Sequence, residues 1–322
     1  MRLSALTSPP LVGAALLLAA AGCGVVREPV VDTGLEVRRA LAGLDTREAT
    51  VGGRAVAYLE RGGPGPTAVL LHGFGTSKDA WVGFADALPD SFRVLVPDLA
   101  GHGGSVRDTA AAYDAPRLAA EVGAWLDAVA PGPVHVAGNS LGGEVAALLA
   151  LDRPGRVRSL ALFGPAGVDA PRPSTLDSLG AAGAENPLVP VDRAGVDRLL
   201  GLVFAGDPGV PGPARDVLAA DYAARAPFLR ALFARLAERR DRLRPRLGEI
   251  DAPVLLVWGA EDRVLDPSAA GVWAEGLSDV TVRVLPGVGH VPMTERPDET
   301  AALFVRFVAG LSGGAAGGLT AD

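Results

Sequence analysis

Cysteine is nearly absent from this chain. Cys23 is the only one in 322 residues, which excludes an internal disulfide framework. Lysine is equally scarce: Lys78 stands alone among 30 basic residues, the rest being arginine. Together with the abundant alanine and glycine, this reads as genomic base composition and carries no mechanism. The four histidines, at 72, 102, 135 and 290, are far apart and lack ligand-spaced cysteines or carboxylates, so neither a metal site nor a metal cofactor is expected. Positive charge is not in excess. With 37 acidic residues the net charge is −7, which argues against a nucleic-acid binder. There are no long charge blocks, no heptads and no repeat of fixed period. Hydrophobic residues, by contrast, make up 49% of the chain, enough for one α/β core with an insertion.

The N-terminus reads as a targeting segment. Met1-Arg2 is a short basic start, and the apolar run 11–21 has the length of a signal-peptide core but spans a bilayer poorly. Ala20-Ala21-Gly22-Cys23 follows, and small residues ending at a cysteine resemble the lipobox of bacterial lipoproteins, with Ala20 where leucine is usual. The resemblance implies a signal peptide over 1–22, lipidation of Cys23 and a cell-envelope protein anchored to the membrane. An ordinary cleaved secretion signal and a retained membrane helix are the other readings. Residues 23–46 are expected to be a tether.

Beyond it, strands and helices alternate. Residues 49–60 and 68–71 read as strands, joined by the turn Gly62-Gly63-Pro64-Gly65-Pro66. The second is wholly apolar and delivers His72-Gly73-Phe74-Gly75, where glycines can expose the Phe74 amide as an oxyanion donor. His72 itself reads as a structural histidine holding that loop. A helix is expected over 81–88, a strand over 93–96, then a glycine-rich loop containing Asp98 and His102, which local hydrogen bonds would hold together. Residues 116–129 have apolar positions at helical spacing, and 157–163 is another buried strand. Such alternation implies a mostly parallel sheet with helices on both faces. It stops over 167–248, where proline-rich turns and amphipathic stretches suggest an inserted helical cap. There 228–243 reads as one helix, with Leu229, Leu232, Phe233, Leu236 and Leu243 on one face. The arginines at 235, 239, 240, 242, 244 and 246 read as a solvated helix end, or as a surface for anionic head groups. The sheet resumes at 253–258 and ends with 280–285, and a helix over 297–311 closes the domain. The core is therefore expected over 47–166 and 249–311, with 312–322 a flexible tail.

The chemistry centres on Gly138-Asn139-Ser140-Leu141-Gly142. An apolar strand precedes it and a helix-forming run follows, so Ser140 sits at the apex of a strand–turn–helix. Glycines on either side let strand and helix backbones approach closely. The amide of Leu141, opening the helix, can stabilise a developing oxyanion. Downstream strands end at Glu261-Asp262 and at Gly289-His290. Serine, acid and histidine thus stand in chain order at strand ends, where open α/β sheets place their sites. A histidine within reach would take the serine proton, and a carboxylate would orient it.

His72-Gly73-Phe74-Gly75, residues 98–105, the 138–143 elbow, residues 258–267 and Gly289-His290 together resemble the α/β-hydrolase superfamily over about residues 46–311. The resemblance implies a triad of Ser140, Asp262 and His290, with Asp262 preferred to Glu261 by its spacing from Gly259. It also implies an oxyanion hole from Phe74 and Leu141, no cofactor, and an inserted cap. Lys78-Asp79, Trp81 and Phe163-Gly164-Pro165-Ala166-Gly167 are similar to capped bacterial lipases and monoacylglycerol lipases. These imply a lipid or small-molecule ester with an apolar acyl group as substrate. The Gly-Asn-Ser elbow is shared with hydrolases of carbon–carbon bonds in diketone-type aromatic degradation products, the alternative reading. A binding module with a vestigial triad is the third.

Overall fold

The computed structural model describes residues 27–105, 107, 113–238 and 240–313. The expected signal peptide, Cys23 and most of the expected tail lie outside them. In chain order the elements are α1 (Arg27–Leu41), β1 (Asp45–Val51), β2 (Arg54–Arg61), β3 (Thr67–Leu71), α2 (Val82–Ala87), β4 (Arg93–Pro97), α3 (Ala115–Val129), β5 (Val134–Asn139), α4 (Leu141–Asp152) and β6 (Val157–Phe163). Three helices follow, α5 (Thr175–Ala181), α6 (Arg193–Val203) and α7 (Gly212–Ala237). Then come β7 (Val254–Gly259), α8 (Ala269–Gly276), β8 (Val280–Leu285), α9 (Pro292–Glu295) and α10 (Pro297–Gly313).

The eight strands form one sheet in the order β1-β2-β4-β3-β5-β6-β7-β8. β1, β2 and β4 pair antiparallel, and from β4 onward every pairing is parallel. β3, β5 and β7 are buried along nearly their whole length because helices cover both faces. One face packs Trp125, Val145, Leu149 and Trp273 from α3, α4 and α8. The other packs Phe84, Phe304 and Val308 from α2 and α10, with Trp81. The chain from β6 to β7 forms the helical cap, and the fold is that of an α/β hydrolase.

Three local expectations need correction. Residues 49–60 are not one strand. Gly52 and Gly53, at φ +56° and +78°, make a two-residue turn that folds the segment into the β1–β2 hairpin. Residues 23–46 are not a plain tether either. Within them lies α1, packed against α7, with Arg39 bound by both carboxylate oxygens of Asp79 at 2.7 Å. Ala42 and Leu44 enter the core. Finally, the expected 228–243 helix ends at Ala237, and Leu243 lies beyond it, its amide bonded to the Gly167 carbonyl at 2.9 Å and its side chain fully buried. The reason is pairing. Arg240 bonds Asp177 at 2.7 Å and Arg242 bonds buried Glu144 at 2.9 Å, which draws the chain away from the helix axis. Arg240 and Arg242 are therefore held by partners, whereas Arg235, in the last turn of α7, is exposed as expected of a helix end. Arg244 and Arg246 are likewise paired, with Asp241 and Glu249.

Candidate active site

Ser140 ends β5 and caps α4. At φ 54° and ψ −119° it is the only described non-glycine residue with positive φ, a conformation that costs about 1–3 kcal/mol. Close packing holds it there. A Cβ on Gly138 would overlap the Gly142 carbonyl, and one on Gly142 would overlap the carbonyls of Leu71 and His72. Glycine is thus the only residue that lets α4 sit this close to β3 and β5. The Ser140 amide donates to the Phe163 carbonyl at 3.1 Å, and its own carbonyl accepts from Ala166 at 3.0 Å. The turn is locked from both sides.

Asp262 follows β7 and His290 follows β8, and the structure brings them into contact. The His290 Nδ1 to Asp262 Oδ2 distance is 2.8 Å. Trp258 Nε1 donates to the same oxygen at 3.1 Å, while the amides of Val264 and Leu265 donate to Oδ1 at 2.9 and 3.0 Å. Glu261 does not reach the histidine; its carboxylate accepts the Val288 amide at 2.9 Å. Asn139 joins the serine turn to the histidine loop, donating from Nδ2 to the carbonyls of Phe163 and His290, each at 2.9 Å. Among the described residues no hydrogen bond joins Ser140 Oγ to the imidazole. Such contacts often tighten only with substrate bound.

The loop after β3 carries Phe74 to the same place. Neither the Phe74 nor the Leu141 amide has a hydrogen-bond partner among the described residues, so both N–H groups are available to an oxyanion. His72 beneath them is structural: fully buried, it contacts the Gly73 carbonyl through Nδ1 at 2.8 Å and accepts the Leu99 amide at Nε2 at 3.0 Å. Burial holds its pKa below the usual histidine value. Asp98 belongs to the same scaffold, accepting from Lys78 Nζ at 2.6 Å, the Lys78 amide at 2.7 Å and the Gly104 amide at 2.8 Å. The chain's one lysine is thus spent inside the fold. Burial pushes His102 down to about 3, so it is neutral at physiological pH.

The cap is stitched to these loops. Arg225 of α7 donates to the Gly75 carbonyl at 3.3 Å, and Phe233 packs edge-on against Phe74 with ring centroids 5.5 Å apart. At the end of α6, the Val203 carbonyl accepts the His290 amide at 2.8 Å. Glu295 accepts the Gly289 amide at 2.8 Å and the Ala205 amide at 2.9 Å, and Arg263 donates to the Gly201 carbonyl at 2.7 Å. None of these bracing residues, Glu295, Arg263 and Arg225, is visible as functional in the sequence, because each acts through main-chain groups that only the fold brings to it, Gly201, Gly75 and Ala205 among them. Asn139 alone carried a signal, as part of the elbow motif.

Beneath the cap, Ser140 opens into a cavity of about 370 Å³. Phe74, Val168, Leu176, Phe233, Leu236 and Leu265 line it, with Glu144, Asp169, Asp177, Asn186 and Arg240 as polar exceptions. An elbow serine, an imidazole bonded to a carboxylate and two free amides, all at the carboxyl edge of a parallel sheet, define a hydrolase of the serine type. The alpha/beta hydrolase family profile matches residues 68–303, and the chain belongs to that family. It is 31% identical over 286 residues to the monoacylglycerol lipase abhd6-B of Xenopus laevis, covering 85% of each chain. The crystal structure of a membrane phospholipase A, described as a bacterial virulence factor, is 39% identical with a TM-score of 0.86, covering 90% of this chain and 93% of that one. A meta-cleavage product hydrolase of Pseudomonas fluorescens IP01, at 22% identity and a TM-score of 0.69 over 82% of this chain and 97% of its own, shares the fold alone.

Proposed function

We propose that this protein hydrolyses carboxylic esters with apolar acyl groups, of the monoacylglycerol type, through an acyl-enzyme on Ser140. The observation that carries the reading is the apolar cavity that Ser140 lines, with the His290–Asp262 contact at 2.8 Å supplying the base. His290 takes the Ser140 proton at Nε2 as Oγ attacks the ester carbonyl. Asp262 holds the proton on Nδ1 and balances the imidazolium charge. The Phe74 and Leu141 amides donate to the tetrahedral oxyanion. Collapse returns the proton to the departing alcohol, and a water activated by the same imidazole then releases the acid. The lipase and phospholipase relatives support a lipid ester. The carbon–carbon alternative has no comparable support, since the ring-cleavage enzyme shares only the fold.

A fluorophosphonate probe with an acyl-ester panel tests this directly. Wild type labels at Ser140 and turns over medium-chain esters, and Ser140→Ala does neither. An adduct on another serine overturns the assignment. We further place the enzyme in the cell envelope, anchored through lipidated Cys23. The apolar run 11–21 and the small residues leading to Cys23 support an anchor there; among the described residues no helix is long and apolar enough to cross a membrane. Two or three acyl chains suffice for stable attachment. Cell fractionation checks it: wild type partitions with membranes and Cys23→Ser does not. Two soluble proteins would mean that Cys23 leaves with a discarded signal, and two membrane-bound ones that the segment before it is retained.

A further inference from the structure

All four tryptophans are fully buried in the core. In Trp81, Trp125 and Trp273 the indole nitrogen is also buried, with no hydrogen-bond partner among the described residues. This core therefore uses indole for its large apolar body and tolerates an idle N–H. Trp258 differs. It lies near the end of β7, and its Nε1 donates to Asp262 Oδ2 at 3.1 Å, shared with the Leu265 carbonyl at 3.2 Å. Packing alone accounts for the other three and does not account for that aim.

The carboxylate that the indole meets has about four acceptor sites, and each of its oxygens takes two donors. Oδ1 accepts the amides of Val264 and Leu265, and Oδ2 accepts from His290 and Trp258. Without the indole, Oδ2 would be held only by the imidazole it has to orient, and the two could shift together. Trp258 is fixed in a buried strand, so it is the one donor to Oδ2 that does not move with the histidine loop. Its bond to the Leu265 carbonyl also braces the turn that supplies both amides, and the side chains of Val264 and Leu265 wall the cavity. One N–H thus sets the acid and the turn that carries it.

We propose that Trp258 is a positioning residue for the reaction: its indole N–H fixes the plane of Asp262, and through it the His290 imidazole, so that the base is aligned when Ser140 Oγ attacks. The indole itself does not line the cavity. Its contribution falls on kcat, because the alignment of the base matters as the proton moves and adds nothing to ground-state binding. This inference rests on the reading of Ser140 as an esterase nucleophile with His290 as its base.

The test removes the N–H and keeps the shape. In Trp258→benzothienylalanine a sulfur replaces the indole N–H within a ring system of nearly the same volume. Trp273→benzothienylalanine is the control, since its Nε1 has no partner among the described residues. On a soluble octanoate ester we expect the change at 258 to lower kcat about tenfold or more, the worth of one hydrogen bond to a charged group. KM should stay within about threefold of wild type, and the change at 273 should leave kcat within about twofold. Trp258→Phe also lacks the N–H and should show the same loss in kcat, with a lower melting temperature from the cavity its smaller ring leaves. Wild-type kcat in either variant at 258 overturns the proposal. So does a loss carried by KM, or an equal fall in kcat at 273. If the wild type neither cleaves the ester nor takes a fluorophosphonate on Ser140, it is the esterase reading that fails. If it does both and the variants at 258 keep their kcat, only the role of Trp258 fails.

Discussion

Replacing Asp262 with asparagine exchanges one oxygen for an amide nitrogen in a site where every neighbour is a donor. His290 Nδ1 and Trp258 Nε1 face Oδ2 at 2.8 and 3.1 Å, and the amides of Val264 and Leu265 face Oδ1 at 2.9 and 3.0 Å. An asparagine has two settings. With its oxygen toward the histidine, its NH₂ opposes two main-chain N–H groups and both bonds are lost. With its NH₂ toward the histidine, only the Trp258 bond is lost, provided Nδ1 becomes an acceptor. The second setting breaks fewer bonds and is favoured, each stranded donor costing about 1–3 kcal/mol. It moves the imidazole proton to Nε2, which can then no longer accept from Ser140. The expected loss is about 10³- to 10⁴-fold in kcat with KM little changed, the pattern of an interaction made in the transition state. Stopped-flow hydrolysis of a soluble chromogenic ester measures both constants, with Glu261→Gln as the control. Glu261 contacts Val288 and not His290, so its variant should lose less than about tenfold. The reasoning is refuted if Asp262→Asn retains activity within tenfold of wild type, or if Glu261→Gln is the more damaged.

Ser140→Gly should abolish fluorophosphonate labelling and yet stabilise the fold by about 1 kcal/mol, because glycine takes φ 54° without strain; an unchanged or lower melting temperature would show that the turn is unstrained. Glu295→Ala removes the shared acceptor of the Gly289 and Ala205 amides and should lower kcat about 10- to 100-fold by misplacing His290. Loss of thermal stability at wild-type kcat would mark it as a brace only. Stability should also fall as pH drops below about 6.5. The pKa of fully buried His102 is pushed down to about 3 and that of His135 to about 4, so the unfolded chain takes up these protons first. His102 alone contributes a slope of about 1.4 kcal/mol per pH unit in that range. Melting curves between pH 7 and 4.5 check it, and a flat profile contradicts it.

The elbow and the central strands were legible because each depends on neighbours in sequence. The run 157–163 is buried along most of its length and reads as a strand wherever it is placed, and β6 spans those residues. Glycines around Ser140 announce a close approach before the approaching element is known. The Gly52–Gly53 turn is equally local, yet the segment reads as one strand because strand-like residues continue on both sides of it. Helix α1 gave no such signal. Its contacts are with α7 and with Asp79, elements that only the folded chain brings near.

By itself the sequence determined most elements of the core, their alternation, the elbow serine and the chain order of serine, acid and histidine, since backbone propensity and hydrophobic period act over a few residues. The resemblance favoured Asp262 over Glu261 by its spacing from Gly259, and the tertiary structure shows the contact, the two adjacent side chains leaving the turn after β7 toward His290 and the Val288 amide respectively. Tertiary structure alone decided that the cap's α6 end holds the histidine loop, and that Glu144, an ordinary helix residue in sequence, lines the cavity beneath the cap and pairs with Arg242. Each of these depends on groups brought together across 28 to 98 residues of chain. The free energy of such contacts comes from burial and hydrogen bonding in the assembled core, and no local pattern encodes it.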